Sequence, residues 1–244
     1  MLRVAARKAE DAGDFRGALR LARQLPDTAE AHRWLRQLEE VLRLPAGDPR
    51  FATWLVHPAV RWAGERAAGE VLERYARLLL ITLGILGAER EQLLGLVACT
   101  DPVVVDAGLF DAGLFARYVS EALSPDLRPP GNLPQEWPEI PPSVFRVDAV
   151  GAETVVLHDL VAEQQARCLA WRGARSLPDG TLVFGRLVPV GGAVGRAFAL
   201  PPIQVDQRCA VRLGRARQRG EGPEERLRAV ARFRRREQQG RAAA

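Results

Sequence analysis

The chain has 244 residues, 47% of them hydrophobic and 27% charged, with a net charge of +5. That composition is globular, with enough apolar residues for a sizeable core, and it excludes wholesale disorder. The longest uncharged apolar run, Leu78 to Ala88, covers 11 residues, against the roughly 20 a membrane-spanning helix needs, so no membrane partner is expected.

Met1 to Glu10 alternates charge with alanine and lacks the apolar stretch of a signal peptide, so a cytoplasmic location is expected. Cys99, Cys168 and Cys209 lie far apart with no CxxC pair, which predicts free, buried thiols rather than a disulfide framework or a zinc site. Residues 207–244 hold twelve Arg and four Glu, a net +8 that leaves −3 for the rest of the chain. Lys8 is the only lysine, so the wealth of arginine reads as the imprint of a GC-rich genome more than as a choice for bidentate phosphate contacts.

In chain order, Ala5 to Asp11 and the set Leu19, Ala22 and Leu25 predict two short helices. Asp27 to Glu30 predicts a capping box for a third helix carrying Trp34, Leu35, Leu38, Val41 and Leu42. A short helix around Phe51, Trp54 and Leu55 follows the turn at Pro45 to Pro49. A long helix is then expected from Pro58 to about Leu86, and another from about Glu89 to Ala98. Asp101-Pro102 reads as a cap and first-turn pair. Next stands a tandem copy, Asp106-Ala-Gly-Leu-Phe110 and Asp111-Ala-Gly-Leu-Phe115. A five-residue step turns an α-helix by about 140°, so the two phenylalanines are not expected on one face. A helix break is expected at the first copy, and a cap at Asp111 opening a helix with Leu114, Phe115, Tyr118, Val119 and Ala122 inward; capping explains the paired aspartates better than a metal does.

Seven prolines between Ser124 and Ser143 predict a linker, with Trp137 anchoring it to a surface. From Val144 the period changes to two. Strands are expected around Phe145 to Ala149, Val155 to Leu160, Ala166 to Trp171, Leu182 to Val190, and Val194 to Leu200 after the Gly191-Gly192 turn. Val205, Cys209, Leu213 and Ala216 then predict a docked helix. A last helix carries Leu227, Val230 and Ala231 and ends in arginines. The expected architecture is α+β: a helical αα-hairpin domain at 1–123, a Pro-rich linker at 124–143, a small antiparallel β-barrel-like domain at 144–205, and a helical, Arg-rich tail at 206–244.

Two resemblances bear on these elements. The segment "AEDAGDFRGALRLARQLPD" resembles the second half of a tetratricopeptide repeat, but no second copy follows at the period of about 34 residues, and a solenoid needs about three units. "DAGLFARYV", "SVFRVDAV", "VVLHDL" and "LPDGTLVFGRLVPVGG" resemble the region that follows the zinc motif in bacterial proteins with a SEC-C motif. That resemblance implies a helical plus small β-barrel fold and says little about function, because those proteins are, as a group, without an established activity. The cysteine-rich zinc knuckle is missing from this chain, so metal binding does not carry over.

Groups for chemistry are scarce. His158-Asp159 is the only adjacent His-acid pair, and neighbours in a strand point to opposite faces. The chain has no GxSxG elbow and no GxxxxGK[ST] loop, and Gly191 to Gly195 reads as a hairpin turn. No catalytic, cofactor-binding or metal-ligating residue is therefore assigned, and no cofactor is expected. The expected function is a non-enzymatic adaptor for an unknown protein partner. The alternative is an RNA- or DNA-associated protein using Arg232, Arg234, Arg235 and Arg236 as nucleic-acid contacts of modest strength.

Overall fold

A computed structural model describes residues 1–11, 13–44, 48–64, 69–123, 136–191 and 195–242. The first three helices are α1 (Leu2–Asp11), α2 (Phe15–Ala22) and α3 (Ala29–Arg43). They bury Ala6, Phe15, Ala18, Ala22, Trp34, Leu38 and Val41 in a small core of their own. Asp14 caps α2 by accepting from the Gly17 amide at 2.7 Å. Thr28 caps α3, its hydroxyl accepting from the Ala31 amide at 3.1 Å, so the cap falls one residue beyond the Asp27 expected from the sequence.

Helix α4 (Pro49–Trp54) leads into α5 (Val56–Gly64) and α6 (Gly69–Leu83), so two helices stand where one long helix is expected. Residues 65–68, between them, lie outside the described residues, as do the turn at 45–47 and the linker prolines at 124–135. Helix α7 (Gly87–Thr100) ends at Asp101, whose carboxylate caps α8 (Pro102–Asp106) by accepting from the amides of Val103 and Val104 at 3.0 and 3.3 Å. No single described helix is long and apolar enough to cross a membrane.

The tandem repeat does not break where the α-helical period places the break. Helix α8 continues into a π turn, Ala107–Asp111, closed by the Ala112 amide donating to the Ala107 carbonyl five residues back at 3.0 Å. Closing bonds five residues apart brings residues i and i+5 round to one side. Asp106 and Asp111 therefore point the same way, and Asp111 caps nothing. Gly113, in the left-handed region at φ 74°, opens α9 (Leu114–Glu121) instead. The rings of Phe110 and Phe115 meet at 5.2 Å, and Phe115 stacks on Trp137 at 5.3 Å and 5°. Trp137 is wholly buried, donating its indole N–H to the Pro189 carbonyl at 2.8 Å, so it is core rather than a surface anchor.

The β region is antiparallel: β1 (Ser143–Val150), β2 (Thr154–Asp159), β3 (Gln164–Leu169), β4 (Leu182–Gly185), β5 (Leu187–Gly191), β6 (Gly195–Phe198) and β7 (Ile203–Gln204). The first sheet runs in the order β3-β2-β1-β4-β7 and the second pairs β5 with β6. Neither closes on itself, so the α+β architecture with antiparallel sheets is present and a closed barrel is not shown. The cause is local: the strand read as Leu182 to Val190 is cut at Arg186, so β4 pairs with β1 while β5 turns to the other sheet. The glycine turn expected between β5 and β6 falls at 192–194, outside the described residues.

Two more helices, α10 (Gln207–Gln218) and α11 (Pro223–Ala242), complete the chain. In α11, Leu227, Val230 and Ala231 are fully buried and Phe233 nearly so. They share one apolar core with Tyr75 and Leu79 of α6, Phe110, Trp137, and Val188 of β5. The Arg-rich end is thus a wall of the molecule rather than a tail, and helical and β parts are built on a common core. Cys168 and Cys209 are buried as expected, whereas Cys99 is exposed.

Asp159, at the end of β2, ties α10 to the sheet. Its carboxylate accepts from Ser143 Oγ at 2.7 Å, the amides of Val161 and Ala162 at 2.9 and 3.0 Å, and Arg217 Nη1 at 3.0 Å. Burial works to raise its pKa, but these donors outweigh it and hold the pKa below 3.8. Asp159→Asn should cost about 2 kcal/mol near neutrality, the scale of hydrogen bonds to a charged acceptor. A group with a depressed folded pKa contributes stability above its unfolded value and loses it as pH falls through the folded one. Urea melts should therefore show the gap between wild type and variant intact above about pH 5 and closing through and below pH 3.8. A gap that does not narrow as pH falls below 3.8 would reject the charge as its source.

Candidate functional site

Helices α3, α4 and α5 face the link between β6 and β7 across a furrow. Its middle is a hollow of 350 Å³ walled by Val41, Trp54 and Val56 on the helical side and by Trp171, Phe198 and Leu200 on the other. These walls are set by ring contacts: Trp54 meets Phe15 edge-on at 4.8 Å, and Trp171 meets Phe198 edge-on at 5.1 Å. Gln37, Val56, His57, Leu200 and Pro201 also line a larger hollow of 740 Å³, which brings in Arg3, Arg7 and Arg61. At the opposite end, Arg50 and Trp171 are shared with a third hollow of 630 Å³ that reaches Arg172 and Arg175. The three form one continuous depression, apolar at the centre and rich in arginine at both ends.

In the larger hollow α1 holds Arg61 and lays its own Arg7 against α3. Arg61 Nη2 lies 2.8 Å from Glu10 and 3.5 Å from Asp11, and the Arg7 guanidinium sits 4.7 Å over the Trp34 ring. Glu10 is itself buried and accepts from the Trp34 indole N–H at 3.0 Å. Burial raises its pKa, while Arg61 and Trp34 work to lower it. His57 borders two hollows with an outer edge in solvent. The surrounding protein lowers its pKa and the Arg61 charge lowers it further, which favours the neutral ring. Cys99 lines the larger hollow too; although its surface is exposed, the protein around the hollow partly desolvates it and, with the charge of Glu73, raises its pKa, which favours the thiol. Among the described residues, no cluster of three or more His, Cys, Asp or Glu is placed to hold a metal.

A second group of charges is interior. Arg186, 1% exposed at its side chain, donates to Asp106 through Nε and Nη2 at 2.9 Å each, to Asp111 through Nη2 at 2.9 Å, and through Nη1 to the carbonyls of Ile140 and, at 3.5 Å, Pro138. Its five N–H donors all meet acceptors. The other oxygen of Asp111 pairs with Arg226, which donates to the Glu221 carbonyl at 3.2 Å. The aspartates of the tandem repeat are therefore the anchors of a buried ion network joining α8 and its π turn, the residue between β4 and β5, and α11.

Of the four arginines expected to meet nucleic acid, two are engaged within the molecule. Arg234 pairs with Asp101, and Arg236 with Asp206 at 3.2 Å. Arg232 and Arg235 face outward on α11, Arg235 alongside Gly84. His158 and Asp159 do not act together, the carboxylate being taken up by Ser143, the turn amides and Arg217. The furrow left little trace in the sequence, since Trp54 and Trp171 come from distant elements. The sequence signal for a further set is plain: Arg208, Arg212, Arg215 and Arg219 recur at helical spacing on a face of α10 turned away from its buried residues.

No protein-family model, no curated protein and no solved structure matches the chain.

Proposed function

We propose that the protein is a non-enzymatic interaction module that seats an extended segment of a protein partner in the furrow between α3–α5 and the β6–β7 link. The lining residues shared among the three hollows support this most: an aromatic centre takes an apolar anchor residue, and the charged ends, where Arg61 is already paired with Glu10, orient the flanking residues. Anchors of this kind carry most of the affinity in protein interfaces, with the charged rim setting orientation and association rate. The helical wall comes from α3–α5, and the resemblances of the N-terminal hairpin to part of a tetratricopeptide repeat and of the later segments to SEC-C-associated proteins belong to the same proposal. The protein would act in the cytoplasm, without cofactor.

The test places a photo-crosslinking amino acid at Leu200 in the furrow and, as control, at Val211 on α10. Discrete adducts should form in native extract at Leu200 alone. Gln37→Trp, a change at an exposed position where two hollows join, should abolish them with no change in melting temperature. Adducts that form equally at Val211, or that survive Gln37→Trp, would sink the proposal.

A further inference from the structure

We infer that the outward face of α10 is a binding surface for the phosphate backbone of a nucleic-acid duplex. Arg208, Arg212, Arg215 and Arg219 lie within a sector of about 60° of that helix and along about 16 Å of its length, roughly one guanidinium per turn. Arg208 and Arg215 are exposed and Arg212 partly so. Among the described residues none of these three has a hydrogen-bond or ion-pair partner, and Arg219 reaches only Glu221, at 3.6 Å with its own side chain 70% exposed. This contrasts with the arginines beside them. Arg217 on the same helix is held by Asp159, and Arg226, Arg234 and Arg236 on α11 each have a carboxylate. A genome rich in G and C accounts for many arginines; what sets these apart among the described residues is that four fall on one face of one helix with no carboxylate nearer than 3.6 Å.

The chemistry of the face selects among polyanions. The apolar side of α10, Cys209, Ala210, Leu213 and Ala216, is buried in the protein's own core, so the helix has no apolar face to insert into a lipid surface. The helix carries no aromatic residue, and single strands are captured by stacking bases on aromatic rings. A row of guanidinium groups on a rigid rod suits a regular, closely spaced row of phosphates, and the duplex provides about one charge per 1.7 Å of its axis. Contacts of this type position the duplex without reading its sequence. The furrow lies elsewhere on the molecule and is not required.

The experiment titrates a labelled 20-base-pair DNA duplex (a length of about 68 Å), the RNA duplex and the single strands with the full-length protein by fluorescence anisotropy between 50 and 200 mM salt. With three to four phosphates neutralised, affinity for the duplex should fall about 40- to 150-fold across that range. The triple variant Arg208→Ala/Arg212→Ala/Arg215→Ala, changed only on the solvent face, should keep its melting temperature and bind at least tenfold more weakly at 50 mM. Arg232→Ala/Arg235→Ala on α11 should bind like the wild type, and so should Gln37→Trp, which separates this inference from the furrow. Binding of DNA and RNA duplexes alike supports backbone recognition. An unaffected triple variant, an equal loss in the α11 variant, a preference for single strands, competition by polyglutamate as strong as by duplex, or no binding at 50 mM would each overturn the inference.

Discussion

Arg186→Met should lower the stability of the protein by about 3–5 kcal/mol, the usual consequence of removing one partner of a buried ion pair. For a chain of this size that is a fall of about 6–20 °C in melting temperature. Arg186 is the only cation bound to Asp106 in the network, and both of its carboxylate partners are largely buried. Burial works against the charge on Arg186, but Asp106 and Asp111 outweigh it and hold the guanidinium charged. Burial also pushes the Asp106 carboxyl above 3.8, against the pull of Arg186. Without that pull the carboxyl rises further. A raised folded pKa stabilises the protonated fold, so stability is retained at low pH and lost as pH rises through the folded value. The variant should accordingly be least impaired in acid and most impaired near neutrality. Adding Asp106→Asn should recover part of the loss at pH 7 and little near pH 4, because it deletes the charge that lost its partner. A single variant that melts with the wild type at pH 7 would show that the network does not hold α8 to β5.

Much of the helical and strand content can be read from the chain because it rests on local patterns: Asp101-Pro102 opens a helix, Phe145 and Val147 alternate inward, and Cys209, Leu213 and Ala216 dock α10. The misreadings share a physical origin. α-Helical rotation sets residues five apart on different faces, whereas the π turn aligns them and turns Asp106 and Asp111 toward one cation. Arg186 looks like any residue in a run of Leu182 to Val190, yet its buried pairing coincides with the point where the chain changes sheet. In a chain with 35 Lys and Arg, nearly all arginine, sequence does not separate an interior guanidinium from a solvated one. Trp137 shows the same limit: in sequence it stands between Glu136 and Pro138 in a proline-rich stretch, and its neighbours in space are Phe110 and Phe115.

Removing α10 and α11 by ending the chain at Asp206 should abolish cooperative unfolding altogether, whereas ending it at Glu237 should leave the melting temperature within about 2 °C of the full-length value. The difference follows from burial. Residues 238–241 are exposed, while Leu227, Val230, Ala231 and Phe233 of α11 fill the groove beside α6 and share its core. The deletion at Asp206 would strip apolar cover from Leu72, Tyr75 and Leu79 and remove Arg226, Arg234 and Arg236 from their carboxylates. Leu227→Ala provides the graded version: about 2–5 kcal/mol for a fully buried leucine, or about 4–20 °C. Thermal melts of the three variants distinguish a structural wall from a solvated tail, since a tail would give three wild-type curves. The same burial decides how binding to nucleic acid has to be tested. Cutting off the basic segment would lose binding and fold together, whereas the solvent-facing arginines of α10 can be removed with the core intact.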